Sequence, residues 1–268
     1  MPELSAYDVL RIVLAGSAIA SIIGSTEWLY LRRHFRDWEL YSWKVQLLSA
    51  GRLRRAAGPL IAYPQVQVLL IIQILLSILL LVPGLSGRAV GLCALGVAFC
   101  YFLLSLRGID GFNGGDAMAK VVTLACGTAF LSGADLVLSG ALFLITGHLL
   151  IAYSTPGWLR LFDPRWHDAS KMLGVMRTES FGRPAVWRLL TGRPRFARVV
   201  ASSIALWEAG FFLYLFLPLP LLCVMLAIGI VFHCTNAVVM GLNVFPWSFL
   251  GGYPAVIWTS LFIQSHLY

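Results

Sequence analysis

The chain has 268 residues, of which 59% are hydrophobic and 12% charged, and its formal net charge is +8. Ordinary soluble domains are about 45–50% apolar and about 25% charged, so this composition excludes a typical water-soluble protein. It also excludes disordered, collagen-like and coiled-coil chains. We therefore expect an integral membrane protein with several apolar helices.

Eight mostly apolar segments follow one another along the chain. In order they cover residues 7–30, 65–82, 89–106, 117–131, 136–153, 199–216, 219–242 and 247–263. Most are close to the ~20 residues that a helix needs to cross the hydrocarbon core of a bilayer. The last segment contains Gly251, Gly252 and Pro254, which predict a bent or short helix. The predicted fold is all-α: one polytopic transmembrane domain over residues 1–268, with about eight transmembrane helices and additional interfacial amphipathic helices.

Two basic segments lie between these predicted helices and carry 16 of the 20 Lys and Arg residues. One covers residues 32–55, after the first helix, and the other covers residues 160–198, after the fifth. With eight spans both segments lie on one side of the cell membrane, and the connections on the other side carry only Arg88. The positive-inside rule then places the basic segments in the cytoplasm and both termini outside. Anionic headgroups account for the net charge, and nucleic acid is not required.

The basic segments are also rich in tryptophan. Trp38, Trp43, Trp158, Trp166 and Trp187 alternate with arginines and apolar residues. Tryptophan and arginine favour the boundary between membrane and water, so the pattern predicts short helices that lie in that plane. Solvated loops remain the alternative interpretation.

Several polar residues fall inside predicted spans, where an ionisable group is costly unless it is paired. Glu208 lies in the sixth segment and His148 in the fifth. His233 and Asn236 lie three residues apart in the seventh, on one face of a helix. Each is a functional candidate, and a hydrogen bond or ion pair between helices is the structural alternative. Asp116 and Lys120, four residues apart at the start of the fourth segment, are expected to pair with each other.

The sequence contains few candidate ligands for a metal site. A transition metal needs three or four convergent ligands, and only His148, His233 and Glu208 are placed to meet. The five cysteines all lie in apolar segments without a CxxC pair, so we interpret them as small buried hydrophobic residues. No metal is therefore expected.

Two stretches resemble a known family. They are FHCTNAVVMGLNVFPWSFLGGYP at 232–254 and YSTPGWLRLFDPRWHDASKMLGVMRTESFG at 153–182. Both are similar to the membrane domain of the vitamin K-dependent gamma-carboxylases and of their small bacterial relatives, the HTTM-domain proteins. The shared features include the Phe-His-Cys start with a nearby Asn236, the Gly-Leu-Asn turn at Asn243, and the Tyr153-x-x-x-Gly157 helix end.

The resemblance implies a membrane domain that binds reduced vitamin K. In the carboxylases a lysine near the end of the Tyr-x-x-x-Gly helix starts oxygenation of the hydroquinone, and Arg160 falls at that position. A guanidinium stays protonated in proteins, so Arg160 cannot act as that base. It is suited to holding an oxyanion or a carboxylate. Pro156 and Gly157, just before it, could open the helix and expose backbone groups.

Two function classes follow. The first is a membrane subunit that binds a quinone, a lipid or a peptide, or that assembles with a protein partner in the membrane. The alternative is a quinone-dependent oxidoreductase or a carboxylase-like, peptide-modifying enzyme with a quinone or quinol as its cofactor. In either class the reactive candidates are Arg160, His233 and Glu208. The candidate ligand-binding residues are Asn236, His148, Trp158, Trp166 and Asn243.

Overall fold

A computed structural model describes residues 5–39, 41–48, 51–108 and 114–267, and all regular structure within them is helical. Short 3-10 turns form at Arg32–Phe35 and Phe211–Phe216, and a π-helical turn forms at Pro246–Leu250. The α-helices are α1 Ala6–Tyr30, α2 Trp43–Leu47, α3 Arg52–Ile61, α4 Gln65–Leu81, α5 Gly87–Arg107, α6 Gly114–Ser132, α7 Asp135–Leu161, α8 Pro164–His167, α9 Ser170–Met176, α10 Pro184–Thr191, α11 Pro194–Ala209, α12 Leu219–Met240 and α13 Gly251–Leu267.

The boundaries of the long helices follow local sequence. Ser86 begins α5, because its Oγ accepts a hydrogen bond of 3.3 Å from the backbone N–H of Ala89. Gly108 ends the same helix with a φ of 82°, and Gly241 ends α12 with a φ of 73°. Left-handed backbone of this kind favours glycine, so both helix ends are readable from the sequence.

Each of the eight predicted apolar segments is helical, which confirms the all-α fold. Among the described residues, four helices, α1, α5, α7 and α12, are long and apolar enough to cross a membrane, fewer than the eight spans predicted. The bent pair of α3 and α4, which meet at 76°, would raise that number to five. α4, α11 and α13 fall short because they have 17, 16 and 17 residues. α6 is long enough, but Asp116 and Lys120 lower its hydropathy.

Two local expectations are wrong. Pro156 does not open the helix before Arg160, since α7 continues without interruption to Leu161. A proline removes only one backbone N–H, and packing against neighbouring helices holds the rest of α7 in place. The sixth predicted segment, 199–216, is divided: α11 starts earlier, at Pro194, and ends at Ala209, where Gly210 leads into the 3-10 turn.

The main core forms where α1, α5, α6, α7 and α13 pack together. α1 lies between α4, α6 and α13, and α7 contacts α6, α11 and α13. The crossing of α1 and α13 brings backbones into contact, because a Cβ on Gly16 would lie 2.5 Å from the Cα of Gly251. A smaller core surrounds Phe35 and Ile61 near the first basic segment. A third lies beneath α9 and α10 in the second basic segment, which is therefore folded as short helices.

Candidate functional site

One face of α7 positions the residues that the sequence singled out. Tyr153, Gly157 and Arg160 lie four and three residues apart, so they share a face of the helix. That face packs against α11, and a Cβ on Gly157 would lie 2.2 Å from the backbone nitrogen of Ala209. Only a glycine allows this approach. It brings Glu208 of α11 within reach of Arg160.

Arg160 and Glu208 form an ion pair between Nη1 of the guanidinium and Oε2 of the carboxylate. The Glu208 side chain is 5% exposed and that of Arg160 is 26% exposed. The guanidinium also lies over the ring of Trp166, 4.8 Å from its centroid. Removing one partner of such a pair would leave a poorly solvated charge, which costs several kcal/mol. Arginine has five N–H donors, so Arg160 can bind a further acceptor on its exposed side.

A cavity of about 210 Å³ lies directly beside this ion pair. Its lining combines Arg160 and Trp166 with polar groups from His167 and Ser202 and with the apolar side chains of Leu161, Ala205 and Leu206. Pockets that enclose a whole small molecule usually measure about 300–1,000 Å³, so this cavity suits one polar group together with the start of an apolar chain.

Asp163 organises the chain just after α7. It accepts hydrogen bonds from the backbone N–H, Nε and Nη2 of Arg165 at 3.1, 3.1 and 3.2 Å, and it pairs with Lys171. These donors, Arg165 first and then Lys171, hold the pKa of the Asp163 carboxyl well below its usual range. The carboxylate is thus ionised, and it fixes the start of the short helix that carries Trp166.

A second polar cluster lies deeper along α7. The hydroxyl of Tyr153 lies 2.5 Å from Nε2 of His233 and 2.9 Å from the hydroxyl of Tyr253, and all three residues are buried. The α-helix rises about 1.5 Å per residue, so this cluster and Arg160 are roughly 10 Å apart along the axis. A Cβ on Gly229 would lie 2.0 Å from the Tyr253 hydroxyl, so Gly229 makes room for it.

Aromatic rings close this cluster. The His233 ring stacks on Phe249 with centroids 4.5 Å apart, and Phe245 lies at 6.0 Å. Tyr153 stacks on Phe211 at 4.2 Å. Among the described residues, Nδ1 of His233 has no hydrogen-bond partner. The cluster therefore joins α7, α12 and α13 through one hydrogen-bonded chain within an apolar environment.

The remaining candidates lie outside both clusters. Asn236 is half-buried on α12, so it does not share the environment of the buried His233 three residues before it. His148 is half-buried on α7. Asn243 donates a hydrogen bond of 2.8 Å to Oε1 of Glu27, an exposed contact with α1. Trp158 is 43% exposed and stacks on Phe162, with centroids 5.8 Å apart.

Tyr253 was not predicted as a site residue, because tyrosines in apolar segments are common and nothing local marks this one. Glu208 and Arg160 were predicted as separate groups, although the structure pairs them. In the described part of the chain, no three His, Cys, Asp or Glu side chains converge as a metal-binding group. The chain matches no family model, no curated protein and no solved structure.

Proposed function

We propose that the chain is an integral protein of the cell membrane whose eight apolar helices form one bundle in the bilayer. Four long apolar helices support this, and so do the side chains that the fold leaves outside. On α12 and α4 large aliphatic residues are 43–66% exposed: Leu221, Val224, Ile228, Val231, Val238, Val68, Ile71, Ile72, Leu75 and Leu79. Soluble proteins rarely expose apolar surface in such continuous stripes, whereas lipid covers it.

The shorter helices fit the same proposal. The 3-10 turn 211–216 extends α11, and the π-helical turn 246–250 precedes α13, so each combined stretch reaches the ~20 residues of a span. α3 carries Arg52, Arg54 and Arg55 and meets α4 at 76°. If α4 crosses the membrane, α3 lies close to the membrane plane. The positive-inside rule places this helix and the second basic segment in the cytoplasm, with both termini outside.

The function that we propose is binding of an anionic, phosphate-bearing lipid at the cavity beside Arg160. The cavity carries this proposal, because it combines a guanidinium, a hydroxyl and apolar side chains at the basic end of α7. Guanidinium groups bind phosphate oxygens in pairs, and Ser202 adds a donor. Leu161 and Leu206 suit the first carbons of an acyl chain. According to this proposal, the protein is a membrane subunit that binds a ligand or assembles with a partner.

Quinone-dependent catalysis is the second candidate, and the chain of Tyr153, His233 and Tyr253 favours it. Three titratable groups at hydrogen-bond distance can pass a proton to or from a quinol. The likeness to the carboxylase family implies the same cofactor. Against this candidate, Glu208 is engaged by Arg160, and aromatic side chains of the chain itself fill the space around His233. A quinone would have to displace them.

Lipid titration tests the first proposal. The purified protein is placed in zwitterionic nanodiscs, and phosphatidylglycerol is added while bound lipid is measured by native mass spectrometry. We expect saturable binding that Arg160→Ala reduces about tenfold or more, since hydrogen bonds to charged groups contribute about 1.5–3 kcal/mol. Arg160→Lys should retain part of the affinity, as a point charge without the bidentate fork.

The matched control is Arg177→Ala, which removes the same charge from an exposed position in the same segment. Equal losses in both variants would mean that lipid follows net charge rather than the cavity, and would contradict the proposal. Turnover of vitamin K hydroquinone by the unmutated protein, with or without a glutamate-containing peptide, would instead establish the enzymatic alternative.

A further inference from the structure

The imidazole of His167 lines the cavity beside Arg160, and phosphate binding by the guanidinium gives it no task. His167 is the last residue of α8 and is exposed, and its Nε2 lies 2.8 Å from the backbone oxygen of Leu161, the last residue of α7. The last carbonyls of an α-helix have no donor within the helix, so the oxygen of Leu161 is free to accept this bond. The contact ties the end of α8 to the end of α7 and holds the ring in place.

This hydrogen bond determines which nitrogen of His167 carries the proton. A carbonyl oxygen can only accept, so Nε2 must be the N–H group that donates to Leu161. A neutral imidazole has a single N–H, and its other nitrogen, Nδ1, then has a lone pair. Because Leu161 occupies Nε2, a ligand in the cavity makes its polar contact with this ring through Nδ1. Neutral His167 therefore offers the ligand an acceptor.

Two other polar side chains of the cavity can donate hydrogen bonds. Glu208 pairs with Nη1 of Arg160, so Nε and Nη2 of the same guanidinium remain for another acceptor. Ser202 adds a hydroxyl from α11. Within the described ranges, no acidic side chain lines the cavity. The lining thus combines donors that suit a phosphate with one acceptor that a phosphate oxygen cannot use.

We propose that the cavity selects lipids whose phosphate bears a hydroxylated alcohol such as glycerol, and that His167 is the residue that determines this specificity. The inference rests on the proposed binding of an anionic lipid beside Arg160. The phosphate accepts hydrogen bonds from Arg160 and Ser202, while a hydroxyl of the headgroup donates to Nδ1 of His167. An ammonium headgroup can also donate to Nδ1, but it would bring a second positive charge close to Arg160 without a carboxylate in the lining to balance it.

The size of the cavity limits recognition to the headgroup. Its volume of about 210 Å³ is below the ~300–1,000 Å³ that encloses a whole small molecule, so the acyl chains lie outside it, against apolar side chains such as Leu206, which is 62% exposed. Two lipids with the same chains and the same charge then differ only in what the headgroup offers to His167. One hydrogen bond between neutral groups corresponds to an affinity ratio of about two to ten.

The test compares phosphatidylglycerol with phosphatidylmethanol, which has the same phosphate charge but no headgroup hydroxyl. Each lipid is titrated into zwitterionic nanodiscs that hold the unmutated protein, at about pH 8.5, where histidine side chains are neutral, and bound lipid is measured by native mass spectrometry. We expect both to bind, and phosphatidylglycerol to bind about two- to tenfold more tightly. Equal affinities, or tighter binding of phosphatidylethanolamine, would overturn the inference and leave the proposed function standing. If neither anionic lipid binds, both fail.

His167→Gln assigns the preference to this residue. The glutamine amide can still donate to the oxygen of Leu161, but it has no acceptor at the position of Nδ1. We expect the two lipids to bind this variant with equal affinity, near that of phosphatidylmethanol for the unmutated protein. The matched control is His34→Gln, an exposed histidine outside the cavity, which should keep the preference. A purely structural effect of His167→Gln would weaken both lipids alike, so an unchanged affinity ratio in this variant would overturn the role of His167.

Discussion

Gly157→Ala is the sharpest test of how the fold builds the site, because a single methyl group is placed between two backbones. The added Cβ would lie 2.2 Å from the nitrogen of Ala209 and 2.6 Å from the carbonyl carbon of Glu208. Ordinary van der Waals contact begins at 3.4 Å, so α7 and α11 must separate by about an ångström. Backbone atoms cannot rotate away as a side chain can.

The expected cost is about 1–3 kcal/mol, the usual range for overpacking a close-packed interior. In a chain of this length that loss lowers the melting temperature by roughly 3–10 °C. The displacement also moves Glu208 relative to Arg160, so binding of phosphatidylglycerol should weaken in the same variant. Unfolding in detergent is followed by tryptophan fluorescence.

Gly147→Ala is the matched control on the same helix. A Cβ at Gly147 meets nothing within 4 Å, so alanine there should be neutral or stabilise the helix by up to about 1 kcal/mol. We therefore expect Gly157→Ala to lower the melting temperature and Gly147→Ala to leave it unchanged or raise it. If Gly157→Ala leaves both the melting temperature and lipid binding unchanged, then α7 and α11 do not approach as described, and the account of the site fails.

Three further predictions concern other parts of the fold. Arg107→Met should lower stability by about 2–4 kcal/mol in chemical unfolding, because the buried carbonyl of Ile61 and the part-buried carbonyl of Tyr41 lose donors at 2.5 and 2.9 Å. The pKa of Asp163 is depressed in the folded state, so its pairing stabilises the protein above the normal carboxyl pKa near 4 and is lost as the pH falls towards the folded value. Asp163→Asn should therefore melt at a temperature that changes less between pH 6 and pH 3 than that of the unmutated protein. Gly229→Ala should destabilise the protein strongly, and much less in a Tyr253→Phe background, because the clash is with that hydroxyl; equal effects in both backgrounds in a double-mutant cycle would contradict it.

Composition and periodicity predicted the helices well, because apolar side chains, glycine and proline act locally. All eight apolar segments are helical, although the sixth is divided between α11 and a 3-10 turn. The seventh was predicted to run to 242, but glycine's freedom to adopt positive φ ends α12 at Met240, just before Gly241. The helix break expected at Pro156 does not occur, and the cause lies in tertiary packing. Packing along α7 outweighs the loss of one backbone hydrogen bond, which no local pattern reveals.

The site was only partly predictable. Glu208 and His233 were recognisable because polar groups are costly in apolar segments, and both are buried in the structure. Their partners lie far away in the chain: Arg160 is 48 residues from Glu208, and Tyr153 is 80 residues from His233. Which of several polar groups meet depends on how helices pack. The close approach of α7 and α11 at Gly157 determines which of these groups meet, and this contact cannot be predicted from a single glycine in the sequence.

The most direct test of the proposed function is the identity of the molecule that stays bound during purification. The unmutated protein, Arg160→Ala and Arg177→Ala would be isolated from native membranes in mild detergent, and bound molecules would be identified by mass spectrometry. We expect an anionic phospholipid that is enriched on the unmutated protein and on Arg177→Ala and lost from Arg160→Ala. Identical lipid content in all three, or a retained quinone in place of the phospholipid, would contradict it.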